Sequence, residues 1–243
     1  MTLSRRRRIR GISQILTKHE KRMTDAINRR LSLLAREVDA RWVTGNPSLV
    51  LQSVANFERG LSSIIFRFGI HVAGESGTNV LQHLSIKSSM DIMMEAIRRW
   101  LRGYSDQRAQ VITNYLRQRI QNELSSGLSD KEIRSKVLDI INNPSSAIRI
   151  ARTETHTAME RGAFEAARSL GVRLVKEWAA NDDQLTRPDH ADADGQLREI
   201  EEPFTVGGES LQYPGDPTAS AKQVVNCRCT ALYHLIVDGE IQR

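Results

Sequence analysis

The chain has 243 residues, 40% of them hydrophobic but only 5% aromatic, and a formal net charge of +6. That is room for one large domain or two modest ones around a mainly aliphatic core. With no run of 18 apolar residues, it excludes a membrane-spanning helix.

The charge is split along the chain. Residues 1–125 carry 21 Lys and Arg against 10 Asp and Glu, whereas residues 126–243 carry 14 against 19. A basic half of this kind is drawn to DNA or to an acidic protein surface. Arg5, Arg6, Arg7, Arg8 and Arg10 form its sharpest cluster. Like charges this close repel, so residues 1–11 are expected to be a disordered basic tail whose arginines contact a polyanion. No continuous apolar stretch follows them, so no secretory signal is expected.

From Ile12 to Trp42, apolar residues recur in steps of three and four through Leu16, Met23, Ile27, Leu31, Leu34 and Val38. That is the stripe of a long amphipathic helix. Gly45-Asn46-Pro47 is expected to end it, and Ser48 to cap a second helix reaching about Phe68. Residues 69–89, with Gly74 and Gly77, read as a loop containing some helix. A third helix is expected from about Lys87 to Leu101 and a fourth after the interruption at Gly103, starting at Ser105. Ser129-Asp130-Lys131-Glu132 has the form of a capping box opening a helix through Ile141. After Asn142-Asn143-Pro144, Ser145 or Ser146 is expected to cap a last long helix that ends before Gly171. Its small residues Ala158, Gly162, Ala163 and Ala166 would let another element approach closely.

Beyond Gly171 the pattern changes. Residues 172–178 alternate as a strand, turn residues become dense, and Phe204-Thr205-Val206 and Thr230-Ala231-Leu232-Tyr233 read as short strands. The predicted fold is mostly α, with long N-terminal amphipathic helices and a small, loop-rich C-terminal α+β module. The divisions are a tail over 1–11, a helical region over 12–143 and the module over 144–237.

Three constellations bear on chemistry. Cys227 and Cys229 supply two soft donors from one turn, and with His190 they make three of the four ligands a tetrahedral zinc site needs. Asp189, Asp192 and Asp194 are near His190 in sequence, and Asp194 is taken as the oxygen ligand. The alternative is that both cysteines are small buried residues and His190 bonds the loop. Second, the acidic loop from Asp182 and Asp183 to Glu202 could hold magnesium beside His190 for phosphodiester cleavage, or be hydrated turns. Third, Arg152, Thr155 and His156 share a helix face. Arg152 and Glu154 are expected to brace the following module through ion pairs and loop carbonyls; the alternative is that Arg152 and His156 make a catalytic or phosphate contact.

Ala151-Arg152-Thr153-Glu154-Thr155, Trp178, Asp183 to His190, Asp194-Gly195-Gln196, Pro203-Phe204, Tyr213 to Pro217 and Asn226-Cys227-Arg228-Cys229 occur in that order. Together they resemble the phage Mu F-like minor head protein family over about residues 151–232. The resemblance implies a virion component of few copies at the portal vertex. Its expected partners are the portal protein, a scaffold or major capsid protein and phage DNA, with no membrane and no catalysis. It would act in procapsid assembly and in DNA packaging or ejection, within the host cytoplasm and then the capsid interior. The rival reading is a metal-dependent nuclease or toxin-like hydrolase using His190 and the neighbouring aspartates. Many family members carry a second cysteine pair and a His-Pro that complete a zinc knot. Here Arg187 and His190 stand at the first pair and Val224-Val225 replace the His-Pro, so only a partial zinc site is implied.

Overall fold

The computed structural model describes residues 3–43, 49–86, 90–181 and 183–242. The expected helix stop at Gly45-Asn46-Pro47, the Ser48 cap, the helix start at Lys87, and Asp182 lie outside them. Five helices come first: α1 (Leu3–Val43), α2 (Val50–His83), α3 (Met90–Leu124), α4 (Asp130–Ile141) and α5 (Pro144–Arg168). After them come β1 (Leu174–Ala179), α6 (Pro188–Asp192), β2 (Leu197–Glu199), β3 (Phe204–Val206) and β4 (Glu209–Leu211). The chain finishes with α7 (Ala221–Val224), β5 (Thr230–Val237) and β6 (Glu240–Gln242). It is mostly α with a small C-terminal α+β module, and no described helix is long and apolar enough to cross a membrane.

The stripe read from α1 is buried: Leu16, Met23, Ile27, Leu31, Leu34 and Val38 enter a core shared with α2, α3, α4 and α5. The helix is longer than its stripe. It starts at Leu3, so residues 3–11 are ordered helix and not the disordered tail expected from their charge. The physical reason is neutralisation. Arg5 pairs through Nε with Glu177 at 2.8 Å and through a terminal nitrogen with Asp194 at 2.5 Å, and Arg8 donates to the Tyr233 carbonyl at 3.0 Å.

Two expected interruptions are also helical. Residues 69–83 continue α2 because their small residues face neighbouring helices closely. A Cβ on Gly77 would stand 2.5 Å from Met93 Sδ, and one on Gly162 of α5 only 2.2 Å from the Ala73 carbonyl oxygen. The small residues of α5 thus serve the close approach read from them, and the partner is α2. α3 runs unbroken through Gly103 and Ser105. Gly103 there lowers helix propensity without breaking the hydrogen-bond ladder.

The capping box of α4 is present, with the Ser129 backbone N–H donating to Glu132 at 3.0 Å. For α5, the cap is Asn143 and not a serine: its side chain accepts from the Ser145 N–H at 3.0 Å, with Pro144 in the first turn. Since α5 also packs in the helical core, it joins the two parts of the chain where a division at 143/144 was expected.

The antiparallel sheet has the order β2-β1-β5-β6, and β3 and β4 form a separate hairpin. Gly207 and Gly208 (φ +57° and +81°) make the β3–β4 turn, and Asp238-Gly239 (φ +52° and +83°) makes β5–β6. The last strand carries the module beyond residue 237. Trp178, Phe204, Val206 and Leu211 form a small core that also contains Cys227 and Cys229.

Candidate metal centre and its supports

A loop between α7 and β5 delivers the two cysteines. Asn226 adopts a left-handed conformation (φ +58°), tolerable for asparagine, and its backbone N–H donates to Thr153 Oγ1 of α5 at 3.2 Å. The thiols on either side of Arg228 then turn inward toward His190 of α6. His190 Nδ1 is 3.4 Å from Cys229 Sγ and 3.6 Å from Cys227 Sγ. All three residues are buried, and their ligand atoms lie within 4.8 Å of one another.

The imidazole is held from behind. Its Nε2 is 3.0 Å from Gln223 Oε1, while the Gln223 amide nitrogen donates to Asp189 at 3.3 Å and Lys222 pairs with Asp189 at 2.7 Å. The amide orientation makes Nε2 the protonated nitrogen, which leaves the Nδ1 lone pair facing the sulfurs. Such outer support fixes the tautomer a metal-binding histidine needs. The neighbouring Cys227 thiol holds Cys229 below its ordinary range, and Cys229 together with burial pushes Cys227 well above it.

These donors fit zinc at three of four tetrahedral positions. Asp194 does not supply the fourth. Its Oδ1 accepts from the Ala180 N–H at 2.7 Å and from Arg5, so it closes the β1 end of the sheet. Asp189 is engaged by Lys222 and Asp192 is exposed, and no other group of three potential ligands occurs among the described residues. Arg187, placed where the family resemblance has a cysteine, donates to the Val225 carbonyl and ties the two loops without a metal. A carboxylate cluster around His190, needed for the nuclease reading, does not form among the described residues. Asp183 pairs with Arg228 at 2.8 Å.

The Arg152-Thr153-Glu154-Thr155-His156 run divides between two neighbours. Arg152 pairs with Glu20 of α1 at 3.1 Å, and Glu154 takes Arg108 of α3 at 2.8 Å as well as the Tyr104 hydroxyl. Both therefore brace the helices and not the C-terminal module expected from the sequence, because their partners lie on α1 and α3. The module is held by His156, whose Nε2 donates to the Cys229 carbonyl at 2.7 Å, and by Thr157, which donates to the Gly215 carbonyl at 2.9 Å. Gly215 (φ +77°) sits so close that a Cβ would be 2.6 Å from His156 Nδ1. Burial lowers the His156 pKa to about 4.

Sequence reasoning missed Gln223 and Glu160. Glu160, one turn after His156, accepts from Thr230 Oγ1 at 2.6 Å and the Ala231 N–H at 3.0 Å, and burial raises its pKa to about 8. A lone carboxylate on a small-residue helix face was the available signal. Of the arginine cluster, Arg6, Arg7 and Arg10 are exposed, whereas Arg5 and Arg8 bond the sheet. Burial lowers the Arg8 pKa to about 10.

The family described as Phage Mu protein F like protein matches residues 114–232, from the middle of α3 into β5, a longer stretch than the motifs alone covered. Minor head protein GP7 of Bacillus phage SPP1 is 35% identical over 94 residues, 37% of this chain and 30% of that protein. NAD(+)--arginine ADP-ribosyltransferase EFV of Enterococcus faecalis is 33% identical over 132 residues, 51% of this chain and 26% of its own length. A Bacillus subtilis protein, YqbB, is 22% identical over 242 residues, 96% of this chain and 78% of that one. The chain thus spans only about a quarter to a third of the first two relatives. No solved structure matches it. Residues 114–232, which include α5 and the cysteine loop, are thus similar to the Phage Mu protein F like family.

Proposed function

We propose that this protein is a minor component of a tailed-phage head, sited at the portal vertex and acting without catalysis in procapsid assembly and DNA handling. The observation that carries the reading is the Mu F-like match over residues 114–232, together with the similarity to the SPP1 minor head protein. The physical layout supports it. The C-terminal module is locked to α5 by buried polar bonds, and the long helices present the exposed surface for partners such as the portal, scaffold or major capsid protein. Arg6, Arg7 and Arg10 are available for phosphate contact, with affinity arising from counterion release.

Zinc would be held by His190 Nδ1, Cys227 and Cys229, cross-linking α6 to the cysteine loop. It would supply structural bonding to a small, loop-rich module. The residues themselves already orient the donors through Gln223 and Asp189.

The test is assembly of heads with and without the chain. Incorporation of the chain into procapsids, and fewer DNA-filled particles without it, are expected. Particles that assemble, fill and infect normally in its absence would overturn the proposal. Similarity to the protein named as an ADP-ribosyltransferase gives a second reading. Transfer of ADP-ribose from NAD+ to arginine by the purified chain would establish it.

A further inference from the structure

A groove of about 460 Å³ runs between α3 and α5 and is closed at one end by α4 and the segment around α7. Its walls include Leu116, Ile150 and Val225, and Val111 and Tyr115 stand beside it at 51% and 59% exposure. Apolar side chains this exposed, grouped along one helix and backed by a cleft, are unusual on a surface with nothing to bind.

The charges around the groove decide what fits. Arg108 is neutralised by Glu154 at 2.8 Å. Arg119 and Arg149 also line the groove, and among the described residues neither has a carboxylate within ion-pair distance. Arg119 lies 6.0 Å over the Tyr115 ring, which leaves its guanidinium at the groove edge. The larger cleft of about 820 Å³ between α1 and the cysteine loop is different in kind. Its Arg152 pairs with Glu20, and its Arg228 pairs with Asp183.

We propose that the α3–α5 groove docks an acidic amphipathic helix of a partner protein. The helix would lay apolar side chains one turn apart against Leu116, Ile150 and Val225, and place carboxylates opposite Arg119 and Arg149. Helix-in-groove recognition uses this spacing, and unpaired arginines at the edge set which charge is accepted. The inference rests on the head-protein reading only for where the partner is found, and it names the chemistry of that contact.

The experiment titrates the full chain with three labelled synthetic peptides of about five helical turns. One has leucines on one face and glutamates on the other, one has lysines in place of the glutamates, and one is a scrambled leucine–glutamate sequence. The glutamate peptide is expected to bind at least about tenfold tighter than the others. Arg119→Glu with Arg149→Glu should reverse the preference toward lysine, and Tyr115→Ala should weaken both. Tyr115 and Arg149 are exposed and Arg119 is half-buried, and circular dichroism confirms that the variants stay folded. Equal binding of the three peptides, or a preference unmoved by charge reversal, overturns the proposal. So does a wild-type dimer that the double variant abolishes, since the occupant is then a second copy.

The same double variant is then offered to assembling heads. Loss of incorporation supports the groove as the contact, and undiminished incorporation overturns it while leaving the head reading intact. A wild-type chain absent from heads sinks the head reading, and the peptide titration still decides the groove.

Discussion

Arg5 and Glu177 meet at 2.8 Å, joining the first turn of α1 to β1, one of the two inner strands of the C-terminal sheet. Their side chains are only 15% and 8% exposed, and His234 completes the site by pairing with Glu177 at 2.9 Å. Burial opposes the Arg5 charge, but Asp194 and Glu177 more than offset it and raise its pKa. The helical half and the module are therefore one mechanical body at this point.

Removing Arg5 leaves a carboxylate largely buried beside a histidine. Arg5→Ala is expected to cost about 1–3 kcal/mol and to expose the first turns of α1 to protease. Urea unfolding and limited proteolysis measure the two effects, and unchanged cleavage near the N-terminus would contradict the latch.

Gly162 and Gly103 are both helical and should respond oppositely to alanine. A Cβ at 162 collides with the Ala73 backbone, whereas nothing lies within 4 Å of one at 103. Gly162→Ala should destabilise by about 2–3 kcal/mol through overpacking. Gly103→Ala should stabilise by about 1 kcal/mol through helix propensity. Thermal melts of the two variants check the sign.

Two buried groups on α5 set a pH dependence of opposite signs. Glu160 has a folded pKa raised to about 8, so its contribution is complete below the unfolded carboxylate range and is lost as pH rises toward 8. His156, depressed to about 4, contributes stability that is lost as pH falls below the ordinary histidine value toward 4. In the overlap they oppose each other, and above about pH 6.5 the falling Glu160 contribution is met by a rising one from the Cys229 thiol, held below its ordinary range. Glu160→Gln should remove the falling component up to about pH 8, as read from the difference in urea midpoints between wild type and variant at each pH. A difference profile without slope there would refute the assignment.

Zinc should raise the melting temperature of the wild-type chain, and a chelator should reverse the rise. Cys227→Ser, Cys229→Ser and His190→Ala should each abolish the response. Gln223→Ala, which touches no sulfur, should weaken zinc affinity by about tenfold or more by releasing the imidazole. Asp194→Asn should leave it unchanged. Calorimetry separates these cases.

Alanine at Arg6, Arg7 and Arg10 should reduce the slope of log affinity for duplex DNA against log salt by up to about 2.7, one phosphate contact per arginine. A slope unaffected by the triple variant would remove these residues from any DNA interface.

The sequence by itself determined the helical stripe of α1, the capping box of α4, the small-residue face of α5 and strands near 172–178 and 230–233. Each is a local pattern, or a motif whose spacing is fixed by chain geometry. Only the tertiary structure decided that residues 3–11 are helix, that the Gly-rich end of α2 continues, and that Asp194 answers Arg5 and not a metal. Those outcomes depend on partners far away in the chain. Charge repulsion favours disorder until distant carboxylates neutralise it, and glycine favours a loop until a close-packed neighbour leaves no space for a side chain.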